Sequence, residues 1–201
     1  MRAPVRLYLA SSNLGKLAEL KTLAAGAPSL EASLELVPNF SSLPVFEESE
    51  PTFAENALGK ALHYSRFCEG VLLADDSGLQ VPALGGAPGV HSARYAGPHA
   101  TDEQRIAKLL SEMREFRGAA RAAYFICVIA AAHRGRGVAV ASGRVDGEIL
   151  TEPRGGAGFG YDPIFYFPPL EKTFAELTRE EKNRYSHRGQ ALVRLLAAVE
   201  S

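Results

Sequence analysis

Apolar residues recur along the chain in two periods, and the switches between them lay out alternating strands and helices. Val5 to Ala10 reads as a strand, Ser11 to Asn13 as a polar turn, and Leu14 to Ala25 as a helix with Leu17, Leu20 and Ala24 on one face. Thr52 and Glu55 have capping-box spacing, so a second helix begins there and runs through Leu58 and Leu62 towards Phe67. Val71 to Ala74 is a short apolar strand leading straight into a polar turn, Asp75-Asp76-Ser77-Gly78. Residues 81–99, dense in glycine and proline, form an ordered loop before Thr101 and Gln104 cap an amphipathic helix carrying Ile106, Leu109, Leu110 and Met113. Ala122 to Ala132 and Gly137 to Val145 are strands joined by His133-Arg134-Gly135-Arg136 as an antiparallel hairpin. A loop through Pro168-Pro169 precedes a short helix capped by Thr178 and Glu181. The final helix is opened by Ser186, with Leu192, Leu195, Leu196 and Val199 inward. The predicted class is α/β with a mixed sheet.

Composition narrows the picture. At 201 residues the chain can bury a substantial core, and no composition shift marks a linker, so one domain is expected. A net charge of −1 and a pI near 6.5 exclude a general nucleic-acid footprint, so phosphate binding should be focal. The apolar start is too short for a signal peptide, and no later run reaches membrane-spanning length, which points to a cytoplasmic protein with no membrane partner. Cys68 and Cys127 form no CxxC pair and read as core thiols.

Five segments carry candidate chemistry. Ser11-Ser12-Asn13-Leu14-Gly15-Lys16 lies between a strand and a helix, where free N–H groups favour an anion. Lys16 opposes the helix dipole unless a phosphate sits beside it; alternatively Asn13 is only an N-cap and Lys16 solvated. The GK[ST] ending of a Walker loop is missing. Asn56 and Lys60, at i and i+4, share a helix face, which is either solvated or turned into a cleft. Asp75 and Asp76 follow an apolar strand, where α/β sheets bind ligands, and their hard oxygens suit Mg²⁺; a simple turn cap is the alternative. Around Phe159-Gly160-Tyr161-Asp162 the glycines admit close backbone approach, and the aromatics either stack on a base or fill a core. Lys182, His187 and Arg188 lie near the start of the last helix.

Together these segments, with Thr52 to Ala57, Leu84 to Gly89, Ser92 to Tyr95 and Glu176 to Gly189, closely resemble the inosine triphosphatase family, house-cleaning pyrophosphatases for non-standard purine nucleoside triphosphates. The resemblance covers nearly the whole chain. It implies an elongated α/β fold with a mixed central sheet flanked by helices, two lobes with a nucleotide cleft between them, and a homodimer. It also implies Mg²⁺-assisted hydrolysis between the α and β phosphates of inosine, deoxyinosine or xanthosine triphosphate, giving the monophosphate and pyrophosphate.

By the same resemblance Asp76 is the proton acceptor and a metal ligand. Glu47 matches the second metal carboxylate, with Glu48 and Glu50 as neighbours in a segment of variable length. Ser11, Ser12, Asn13, Leu14, Gly15, Lys16, Lys60 and Ser77 match substrate-binding positions, as does Lys182. Phe159, Gly160, Tyr161, Asp162, His187 and Arg188 match the base pocket. A 6-keto purine would accept at O6 from His187 or Arg188 and donate N–H to Asp162, whereas adenine would leave those groups unpaired. The rivals are a pyrophosphatase for modified pyrimidines or standard nucleotides and a catalytically silent nucleotide-binding regulator.

Overall fold

The computed structural model describes residues 6–11, 13–25 and 34–200, with backbone alone at 14, 24, 25 and 200. A seven-stranded sheet has the order β2-β1-β3-β4-β5-β6-β7. Its strands are β1 (Leu7–Leu9), β2 (Leu34–Leu36), β3 (Val71–Gln80), β4 (Ala122–His133), β5 (Arg136–Ile149), β6 (Phe165–Phe167) and β7 (Lys172–Thr173). β1 runs parallel to both β2 and β3, whereas β5, β6 and β7 pair antiparallel. The sheet is mixed and the class α/β, as the sequence pattern predicts. The turn between β4 and β5 holds Arg134 at φ 50 and Gly135 at φ 76, the doubly left-handed geometry that matches strand twist in a two-residue hairpin.

The helices are α1 (Leu14–Ala25), α2 (Phe53–Tyr64), α3 (Asp102–Glu112), α4 (Arg179–Tyr185) and α5 (His187–Glu200). Their capping follows the sequence signals. Thr52 Oγ1 accepts from the Glu55 N–H at 3.2 Å, Thr101 and Gln104 form a full capping box, and Thr178 Oγ1 accepts from the Glu181 N–H at 3.1 Å. None of the helices among the described residues is long and apolar enough to cross a membrane.

Two expectations change. β3 does not end at Ala74 but continues through Asp75, Asp76, Ser77 and Gly78 to Gln80, so the acidic segment is strand interior rather than a turn. β1 pairs only with Val71–Leu73, and the acidic segment continues the strand beside β4, which draws its backbone into the sheet despite the polar side chains. β2, β6 and β7 carry too few residues for a period to show in the sequence.

The chain folds as two compact units. The first takes the described residues up to 76, residues 127–143 and those from 186 onward; the second takes 77–126 and 144–185. In the first, α1 and α5 pack together, and Leu7, Leu9, Leu20, Leu73, Ile129, Leu192 and Leu195 form the core. Leu17 packs at its edge. The core of the second is aromatic: the Phe125 and Phe165 rings lie 4.5 Å apart, and Phe174 meets Phe165 edge-on at 4.9 Å. α3 covers this core with Ile106, Leu109 and Met113.

Candidate functional site

The first unit gathers charge around β3. Alternation along a strand sends neighbouring side chains to opposite faces, so Asp75 and Asp76 meet different surroundings although both are buried. Lys16, in the first turn of α1, brings Nζ to 2.9 Å from Asp75 Oδ2. Arg188, in the first turn of α5, holds Nε 3.8 Å from the same oxygen and pairs through Nη1 with Glu19 of α1. Burial alone would raise the Asp75 carboxyl, but Lys16, Arg188 and Lys60 together reverse this and hold it below the ordinary carboxylate range.

Asp76 behaves oppositely. Burial, and then the charge of Glu48, lift its carboxyl to about 6 against the pull of Lys16 and Lys60. Two adjacent aspartates are thus driven apart, one a fixed anion and the other basic enough to accept a proton near neutrality. Lys60, from α2, donates to the Asp75 carbonyl at 2.9 Å and pairs with Glu48. Burial opposes its charge, but Asp75 and Glu48 outweigh that and raise its pKa, so it stays an ammonium.

Local structure explains these placements. Asn13 caps α1, its Oδ1 accepting the Lys16 N–H at 3.0 Å, and Ser11 Oγ accepts the Asn13 N–H at 3.2 Å. The segment bearing Glu48 is held on α2. The Phe46 ring lies against Gly59, where a Cβ would sit 2.6 Å from Cζ, and the Phe46 N–H donates to Tyr64 Oη at 3.1 Å. Asn56 clamps Glu50, accepting its N–H at 3.0 Å and donating to its carbonyl at 3.2 Å. At the start of α5, Ser186 Oγ accepts the Gly189 N–H at 3.1 Å. β5 passes so close that a Cβ on Gly143 would lie 2.1 Å from the His187 carbonyl oxygen.

The second unit builds a separate constellation on the glycine-rich segment. Asp162 is buried, and its Oδ2 accepts from the Phe159 N–H at 2.9 Å and from Lys182 Nζ at 2.6 Å. The Lys182 ammonium also lies 4.9 Å from the centre of the half-buried Phe159 ring. Gly158, at φ 80, allows this closure, because a Cβ there would lie 2.1 Å from Asp162 Oδ2. Tyr161 is buried and donates its hydroxyl to the Ser92 carbonyl at 3.0 Å.

Residues 7–198 match the sequence profile of the Ham1 family. The chain belongs to the Ham1 family. Two relatives are each named dITP/XTP pyrophosphatase. The protein of Desulfotalea psychrophila is 45% identical over 191 residues, covering 95% of this chain and 83% of its own. That of Thermus thermophilus is 47% identical over 194 residues, covering 96% and 91%. Among solved structures, a HAM1 protein from Coxiella burnetii superposes with a TM-score of 0.85 at 45% identity, covering 98% of this chain and all (100%) of its own. The inosine triphosphatase resemblance read from the sequence accords with these names.

Within this Ham1 chain the expected site residues fall into two groups. Ser11, Asn13, Gly15, Lys16, Lys60, Asp76, His187 and Arg188 belong to the first unit; Ser77, Phe159, Gly160, Tyr161, Asp162 and Lys182 belong to the second. Ser12 and the side chain of Leu14 lie outside the described residues. Glu47 is exposed, whereas Glu48 is half-buried, pairs with Lys60 and acts on Asp76. Glu50 is exposed and its backbone is clamped by the buried Asn56.

Asn13 caps α1, and Lys16 pairs with Asp75. Asp162 bonds to Lys182 and the Phe159 N–H, and Arg188 pairs with Glu19 and Asp75. Sequence reasoning missed Glu19, whose position one turn after Lys16 on α1 was the available signal. Asp76 and Glu48 are the carboxylates able to hold a hard divalent cation.

Proposed function

We propose that this protein hydrolyses non-standard purine nucleoside triphosphates between the α and β phosphates, releasing the nucleoside monophosphate and pyrophosphate. The main support is the gathering of the carboxylates Asp76 and Glu48 with the ammonium groups of Lys16 and Lys60 around β3. The relatives' names, dITP/XTP pyrophosphatase, supply the substrate class.

Asp76 is the proton acceptor for the attacking water. Lys16 and Lys60 offset phosphate charge. An ammonium has three donors, of which Lys60 uses two on Glu48 and the Asp75 carbonyl and Lys16 one on Asp75, leaving N–H groups for phosphate oxygens. α1 has no acidic residue in its first turn, which leaves its N-terminus favourable to an anion. In the second unit the Phe159 ring offers a stacking face for a purine, and the bonds of Asp162 and Lys182 hold that face in place.

Asp76 and Glu48 would hold Mg²⁺. Among the described residues no three His, Cys, Asp or Glu form a metal cluster, and a two-carboxylate set is what Mg²⁺ takes when waters and substrate phosphates complete its shell. When bound it would supply charge stabilisation at the transferring phosphate. The deciding experiment is a panel of inosine, xanthosine, deoxyinosine, adenosine, guanosine and pyrimidine triphosphates, with Mg²⁺ and with chelator, run in ¹⁸O-water. Label in the monophosphate and release of pyrophosphate from the 6-keto purines would support the reading. Orthophosphate as the product, label in pyrophosphate, or a pyrimidine preference would overturn it.

A further inference from the structure

Phe159 can present a fixed face only if the backbone on both sides of it is fixed, and the Asp162 bond secures only its own N–H. The other side is Gly160, which stands in the left-handed region at φ 64. Its N–H donates to Asp102 Oδ2 at 2.6 Å, a short charge-assisted bond. Asp102 is the first residue of α3, and its other oxygen pairs with Arg105 one turn on. Arg105 is fixed in turn, donating to the carbonyls of Ala93 at 2.9 Å and Ala100 at 2.7 Å. That places Arg105 on the same loop whose Ser92 carbonyl accepts the Tyr161 hydroxyl at 3.0 Å. α3 and its preceding loop therefore hold residues 160 and 161, while α4 holds 159 and 162 through Lys182.

We infer that Asp102 is a positioning residue for base recognition: through Gly160 it holds the aromatic segment in the conformation that receives the purine. The inference rests on the proposed nucleotide reading. Asp102 does not touch the base; it sets the fraction of molecules whose segment is ready to bind. Apparent affinity falls in proportion to that fraction, whereas the phosphate-handling groups of the first unit have no share in the Asp102 bond.

The test compares the parent with Asp102→Ala and Asp102→Asn, reading KM and kcat for inosine triphosphate and its Kd by calorimetry. Inorganic triphosphate, which has no base, serves as a competing ligand. Asp102→Ala should raise KM and Kd by ~10-fold or more, the share of one charge-assisted hydrogen bond, with kcat within ~3-fold of the parent. Asp102→Asn, whose amide oxygen can still accept from Gly160, should recover most of the affinity. Inhibition by inorganic triphosphate should be unchanged in both.

Unchanged KM in Asp102→Ala, an equal weakening of inorganic triphosphate, or no rescue by Asn would overturn the inference. If the alanine variant fails to fold, Asp102→Ser, acceptable in a first helical turn but too short to reach Gly160, takes its place. A parent that binds inosine triphosphate without releasing pyrophosphate would refute the proposed reaction while the Kd comparison still decides the role of Asp102.

Discussion

Three glycines in one segment separate backbone strain from steric closure. A Cβ on Gly156 meets nothing within 4 Å, and its φ is unremarkable. Gly160 is left-handed at φ 64 but also opens onto empty space, whereas Gly158 combines φ 80 with a Cβ position 2.1 Å from Asp162 Oδ2. Alanine at 156 should therefore change stability by no more than about 0.5 kcal/mol. At 160 the left-handed conformation alone should cost ~1–2 kcal/mol. At 158 the same strain is joined by displacement of a buried carboxylate and loss of at least one charge-assisted hydrogen bond, worth ~1.5–3 kcal/mol, for a total of about 3–5 kcal/mol. The bond concerned is that of Asp162 to the Phe159 N–H or to Lys182. Urea unfolding followed by circular dichroism and tyrosine fluorescence measures the three values, and KM for inosine triphosphate should rise most for the 158 variant. Equal losses at 158 and 160 would refute the closure of Gly158 on Asp162, and a loss at 156 as large as at 160 would refute the strain argument.

Four further outcomes follow from the charged centre and the cysteines. Asp76→Asn should lower kcat by ~10²–10⁴-fold with an unfolding midpoint at or above the parent's, since the ionised carboxyl is disfavoured by burial and Glu48; near-parent turnover would remove Asp76 from its role. Glu48→Gln should raise the Mg²⁺ concentration needed for half-maximal rate while Glu47→Gln behaves as the parent; the reverse would restore Glu47. Asp75→Asn leaves the buried Arg188 and Lys16 without their shared carboxylate and should destabilise the fold by ~3–5 kcal/mol in urea titration, a loss below about 1 kcal/mol counting against the ion-pair account. Burial, and then the nearby Asp75, push the Cys127 thiol up to about 12, so at pH ~8 a disulfide reagent should modify Cys68 in the native protein and Cys127 only after unfolding. Rapid reaction of both thiols would contradict that burial.

The helices, their caps, the β4–β5 hairpin and the family could all be read from the chain alone, because those features depend on residues within a turn or two of one another or on short motifs in order. Thr52 with Glu55 and Thr101 with Gln104 announce helix starts whatever surrounds them. Asp76 and Lys16 stand out as candidate chemistry because charged groups beside an apolar strand and a helix start break the local pattern, whereas Lys60 is singled out only by the family resemblance. What stayed hidden depends on packing between distant segments. Asp75-Asp76-Ser77-Gly78 has the composition of a turn and is strand because β3 runs on past its pairing with β1 at Val71–Leu73, beside β4.

Adjacent glutamates cannot be told apart by composition. Docking of Phe46 on Gly59 and the grip of Asn56 on Glu50 hold the segment in which Glu48, not Glu47, meets Lys60. Arg188 illustrates the same limit, since its partner Glu19 lies 169 positions away and only the packing of α5 on α1 brings them together. The contrast between the two aspartates is likewise a product of packing. Their intrinsic acidities are the same and burial raises both, so it is Arg188 and the close Lys16 pairing at Asp75, against Glu48 at Asp76, that set them apart.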